Sequence, residues 1–128
     1  MRGMWTLIRN GGVIPMLFIL VFGLLALGAS FYFAVRPQKQ SLGFITSMAQ
    51  ATLFGTLAAT FADVGATLYA ASHAWENPEA GAGRAASMIV QGLAESTSPG
   101  IVGFSFLALT AMLAAVGRRR LDERSEVR

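Results

Sequence analysis

The chain has 128 residues, 54% of them hydrophobic and 13% charged, with 10 basic and 7 acidic side chains for a net charge of +3 and no cysteine. This length holds one domain. A charged share about half the ~25% usual for soluble domains excludes an ordinary water-soluble fold, and the composition excludes thiolate metal sites.

The first apolar run covers 13–35, after an N-terminal segment 1–12 that carries Arg2 and Arg9. Its ~23 residues rise roughly 35 Å as a helix, enough for a hydrocarbon core of ~30 Å. Pro15 falls in the first turn, where its missing N–H costs nothing, and Arg36-Pro37 ends the run. A cleaved signal sequence has an apolar stretch of only about 7–15 residues, so this run is expected to persist as a membrane helix.

A second span is expected over 42–72 and a third over 86–117. Each is about 30 residues, or ~45 Å of helix, longer than the core and so tilted or extended into water. The connections are short: 37–41, then a loop 73–85 holding Asn77, Pro78, Gly81 and Gly83. Short connections make consecutive helices antiparallel neighbours. The expected fold class is all-α: three transmembrane helices, the second and third long, followed by a tail 118–128.

Orientation follows the basic residues. Arg36, Lys39, Arg118, Arg119, Arg120, Arg124 and Arg128 fall on one side; Arg2, Arg9 and Arg84 fall on the other. The richer side is expected to be cytoplasmic. The N-terminus and the 73–85 loop are then periplasmic. Trp5, Tyr69 and Trp75 fit an aromatic belt, and His73 reads as an interface residue rather than a ligand.

The second span carries Thr52, Thr56, Thr60, Asp63 and Thr67 within roughly 80° of helical arc. Beside them run Ala51, Gly55, Ala59, Ala62, Ala66 and Ala70, small residues at a spacing that lets helix backbones approach in lipid. The third span repeats the theme. Gln91, Glu95, Ser98 and Ser105 share one face, and Gly92, Ser96, Gly100 and Gly103 supply small positions. Pro99 removes the N–H that would bond the Glu95 carbonyl, so a bend or hydrated backbone is expected there. Beyond Gly103 the span reads as apolar from Phe104 to Val116. Asp63 and Glu95 are acids in apolar surroundings, where a charge is costly. Two readings stand for each: lining a polar cavity, or being solvated at the outer membrane edge.

Three passages resemble the MotA/TolQ/ExbB proton-channel family, nearest its TolQ/ExbB branch. Trp5-Thr6-Leu7-Ile8-Arg9-Asn10-Gly11-Gly12, followed by Pro15, resembles the family's Trp-x-Leu-Ile-x-x-Gly-Gly start of the first helix. Leu53-Phe54-Gly55-Thr56 resembles its Leu-Phe-Gly-Thr. Gly92-Leu93-Ala94-Glu95-Ser96, with the later Gly103, resembles its Gly-Ile-Ala-Glu-Ala and following Gly. The resemblance implies a pentamer enclosing the single-span helices of an ExbD/TolR/MotB-like partner, with ions passing beside an aspartate that belongs to the partner. It implies Thr56 as a pore-facing threonine and Glu95 as a pore-side glutamate; Asp63 lies outside the family motif. The chain departs from the pattern where the family has a large cytoplasmic segment between the first two spans. It also carries Gly100, after Pro99, in place of a second pore threonine, and Val35-Arg36 in place of Glu-Arg.

The expected function is therefore an inner-membrane subunit of an ion-motive-force-driven complex, a homo-oligomeric ring around a partner helix. Thr52, Thr56, Thr60, Asp63, Glu95 and Ser98 are the expected pore-lining residues. Gly55, Ala59, Gly92, Gly100 and Gly103 are the expected helix-packing residues. The alternative is a non-conducting membrane scaffold, which the departures favour. Nothing pairs a nucleophile with a base, and no phosphate loop or metal spacing occurs, so no enzymatic activity, cofactor, metal or nucleic-acid partner is expected.

Overall fold

The computed structural model describes residues 13–76, 79 and 81–127. The Trp5–Gly12 passage, Asn77 and Pro78 lie outside them, as does Arg128. The described chain is all-helical: α1 (Val13–Val35), α2 (Lys39–Glu76) and α3 (Gly81–Glu126). Each of the three is long and apolar enough to cross a membrane. Their 23, 38 and 46 residues correspond to about 35, 57 and 69 Å.

The expected spans fall inside these helices, with longer ends. α1 matches its span residue for residue. α3 continues nine residues past Gly117. There Arg119 Nε donates to Glu123 Oε1 at 3.3 Å one turn on, a pairing that supports a helix in water. At its other end α3 begins at Gly81, which has φ +71°, a conformation open to glycine without strain. α3 is continuous through Pro99, which is buried. In the tight connection between α1 and α2, Arg36 N–H donates to Tyr32 O at 2.8 Å and Ser41 N–H to Gln38 O at 3.1 Å.

All three helices touch one another, and glycines set how closely. Gly23 of α1 lies under Phe106 of α3; a Cβ there would stand 2.8 Å from the ring's Cγ. Gly55 of α2 lies under Phe18 of α1, and Gly117 of α3 under the fully buried Phe33 of α1. Phe33, Ile45 and Ala114 form the core cluster, with Ala29 and Leu42 packed against it. Arg120 of α3 closes the same end, donating from Nη1 to Ala34 O at 2.8 Å. That hydrogen bond satisfies one of the carbonyls a helix leaves open at its C-terminus.

These contacts fix the vertical register. Gly23 is level with Phe106 and Phe33 with Gly117, so α1 and α3 run parallel, with α2 antiparallel to both. Ten residues before Gly23 is Val13, where α1 begins; ten before Phe106 is Ser96. α3 from Gly81 to Glu95, and the part of α2 beside it, thus project about 20 Å past the start of α1. The outward faces are strongly apolar: Phe31, Phe54 and Phe61 are each more than 60% exposed, as befits surfaces in hydrocarbon rather than water.

Candidate functional site

The threonine stripe of α2 lies on the glycine stripe of α3. A Cβ at Gly103 would overlap the Thr56 side chain, and one at Gly92 would overlap Thr67. Gly100 faces Thr60 more loosely: a Cβ there would stand 3.8 Å from Thr60 Oγ1. Each of these hydroxyls is turned back on its own helix. Thr52 Oγ1 donates to Met48 O at 2.8 Å, Thr56 to Thr52 O at 2.7 Å, Thr60 to Thr56 O at 2.9 Å and Thr67 to Asp63 O at 2.9 Å. Such back-bonding lets a threonine pack in lipid without an unpaired donor.

Thr52 and Thr56 have no exposed surface at all. Their side chains are shut between helices of one protomer. Thr60 and Asp63 are half-buried beside them. Among the expected packing residues, Gly55, Gly92 and Gly103 sit at close approaches and Ala59 is buried. Gly100 has room for a methyl group.

The polar residues of α3 take a different place. Gln91, Glu95, Ser98 and Ser105 are all exposed on one side of the helix. Gln91 Nε2 donates to Glu95 Oε1 at 3.1 Å, and Ser105 Oγ to Ile101 O at 2.7 Å. Glu95 and Asp63 stand at the level where α1 begins, so the core thickness that α1 defines puts both at the edge of the apolar slab. Glu95 and Gln91 line a groove with Met88, Ala66 and Ala70. That groove continues the seat of α1: Gly55 and Ala59 lie on the same face of α2 as Ala66 and Ala70 at 100° per residue. Ser98 and Ser105 lie deeper, within the stretch that α1 flanks.

Sequence reasoning passed over a second polar set. Thr46, Gln50, Thr110 and Arg118 line one groove between α2 and α3. Thr110 interrupts a run that reads as apolar, and that single hydroxyl was the available signal. Among the described residues no group of three or more His, Asp or Glu side chains is placed to hold a metal ion.

Three helices among the described residues, each long and apolar enough to cross a membrane, mark a multi-pass membrane protein. No family model, no curated protein and no solved structure matches the chain.

Proposed function

We propose that the chain is a TolQ/ExbB-like subunit of an ion-motive-force-driven complex in a bacterial inner membrane, several copies enclosing one or more single-span partner helices. The observation that carries this reading is the exposed polar face of α3, from Gln91 through Glu95 and Ser98 to Ser105. Ser98 and Ser105 lie within the depth that α1 flanks, with Glu95 at its edge, and polar residues within membrane helices generally turn toward a bundle interior or a wet cavity. Sister copies and a guest helix would supply that interior. Since Thr52 and Thr56 are enclosed in the protomer, the lumen face in this proposal is that of α3. Glu95 would set the field at the outer mouth, Ser98 and Ser105 would offer hydroxyl oxygens along the wall, and the partner would supply the titrating acid. The excess of basic residues beside the Val35–Lys39 turn and at the end of α3 supports a cytoplasmic C-terminus and a periplasmic N-terminus.

Flux into liposomes, with the chain alone and with a candidate single-span partner bearing a membrane aspartate, tests the proposal. Partner-dependent flux that falls in Glu95→Gln supports it. Flux absent in every combination, or indifferent to Glu95, removes it. A non-conducting scaffold is the second reading, and one observation favours it: the hydroxyl of the motif threonine Thr56 is spent on its own backbone and seated on Gly103. Under that reading, small-to-large changes at Gly55 or Ala59 abolish function while Glu95→Gln leaves it intact.

A further inference from the structure

The groove holding Thr46, Gln50, Thr110 and Arg118 has a volume of about 340 Å³ and opens on the flank of the bundle between α2 and α3. Its walls are apolar, among them Ala49, Leu53, Leu107 and Ala111. Its depth follows from the register already given. Leu107 neighbours Phe106, which covers Gly23 near the middle of α1, and Arg118 follows Gly117, which lies under Phe33 near the end of α1. The groove thus runs from mid-core to the membrane edge. The eleven residues between Leu107 and Arg118 rise about 16 Å, close to the depth of one leaflet of a ~30 Å core.

Thr46 Oγ1 donates to Leu42 O at 2.9 Å, but the other polar groups are short of partners. Thr110 Oγ1 is buried and makes no hydrogen bond. Among the described residues Gln50 and Arg118 make no hydrogen bond or ion pair, although the neighbouring Arg119 is paired with Glu123 and Arg120 is bound to the Ala34 carbonyl. Helical side chains lean toward the N-terminus of their own helix. Arg118 therefore reaches back along the groove from its edge, and Gln50, on the antiparallel α2, leans out toward Arg118. The result is one cation at the membrane edge, with the Gln50 amide deeper in an apolar trough, at the level of Thr110 and about 12 Å below the Arg118 backbone.

We propose that this groove binds an anionic phospholipid. The phosphodiester accepts hydrogen bonds from the Arg118 guanidinium, a pairing that is strong because both groups are charged and the fork geometry matches. Gln50 donates to a glycerol ester carbonyl, and one acyl chain lies along Leu53 and Leu107. A zwitterionic lipid places an ammonium beside the same guanidinium and is bound less well. The inference rests on the helices lying in a bilayer and holds whether or not the chain conducts ions.

The test is lipid retention by the full chain in nanodiscs, counted by native mass spectrometry against phosphatidylglycerol or phosphatidylcholine. The expected result is about tenfold preferential retention of phosphatidylglycerol, the size of effect a charge-assisted hydrogen bond gives. Arg118→Gln should erase the preference, while Arg119→Gln should preserve it. Leu53→Trp, which fills the trough without touching a charge, should reduce retention of either lipid, so the test does not depend on one variant folding. Equal retention of the two lipids overturns the proposal, as does unchanged preference in Arg118→Gln. Displacement by millimolar inorganic phosphate would identify a free-anion site and also overturn it. Cross-linking of two copies through Ala111→Cys would show a second chain in the groove, with the same consequence.

Discussion

Thr56 is seated on the α-carbon of Gly103: a methyl group at 103 would stand 2.8 Å from Thr56 Cβ. Because the obstacle is so near the α2 backbone, no rotation of the threonine removes it, and a larger residue at 103 must push the helices apart. Gly103→Ala is expected to destabilise the bundle by about 1–3 kcal/mol, the usual cost of overpacking. Gly100→Ala, three residues away with its nearest neighbour at 3.8 Å, is expected to be neutral or slightly stabilising, since alanine is the better helix former. Unfolding of the two variants in a mild detergent titrated with a denaturing one separates them.

The Thr56 hydroxyl serves its own helix, donating to Thr52 O at 2.7 Å. Thr56→Val keeps the shape that fills the Gly103 seat and loses that one bond, for about 0.5–1.5 kcal/mol. Thr56→Leu overfills the seat and costs about 1–3 kcal/mol. If flux is observed, Thr56→Val is expected to leave its rate unchanged at equal protein in the membrane. A tenfold loss in a stable Thr56→Val protein would put the hydroxyl in the ion path.

Arg120 ties the end of α1 to α3 through the Ala34 carbonyl. Its removal leaves that carbonyl without the partner and takes a charged donor from the interface. Arg120→Ala is expected to lower stability by about 1.5–3 kcal/mol, with Arg120→Lys recovering part of it because a lysine reaches but cannot hold the planar fork. Amide hydrogen exchange checks the location: the last turn of α1 should exchange faster in Arg120→Ala, while the rest of the helix is little changed.

Ser98 and Ser105 face away from the rest of the protomer, within the depth that α1 flanks. Replacing both with leucine should spare the folded protomer, because neither packs inside it, and should weaken contact between subunits. The expected outcome is unchanged helicity with a fall in the share of assembled protein at a given detergent-to-protein ratio. Unchanged assembly would mean that this face meets lipid.

The helices were legible because apolar runs of this length have few alternatives: Val13–Val35 is bounded on the sequence as in the structure. Their ends were not. Arg118-Arg119-Arg120 marks the edge of the apolar stretch, but polar residues of good helix propensity continue the helix, and α3 runs to Glu126. The threonine stripe was visible by its spacing, yet spacing cannot tell a packing face from a lumen face. In both cases small polar residues gather on one side, and the packing contact within the protomer emerges only from the glycines of α3 opposite Thr56 and Thr67. Glu95 was legible as an acid in apolar surroundings, with a cavity and the outer edge both open to it, and its level follows only once Gly23 is matched to Phe106. The groove at Thr110 and Arg118 was hidden because its parts come from two helices 60 residues apart in the chain.

In the proposed assembly the polar face of α3 is completed by other subunits. The most direct measurement is the mass of the particle extracted with its native lipid, read against a chain of 13.6 kDa. The expected mass is an integer multiple of that value, fivefold on the family resemblance, with additional mass if a single-span partner copurifies. A particle holding one chain, with Ser98 and Ser105 open to lipid, would contradict that assembly.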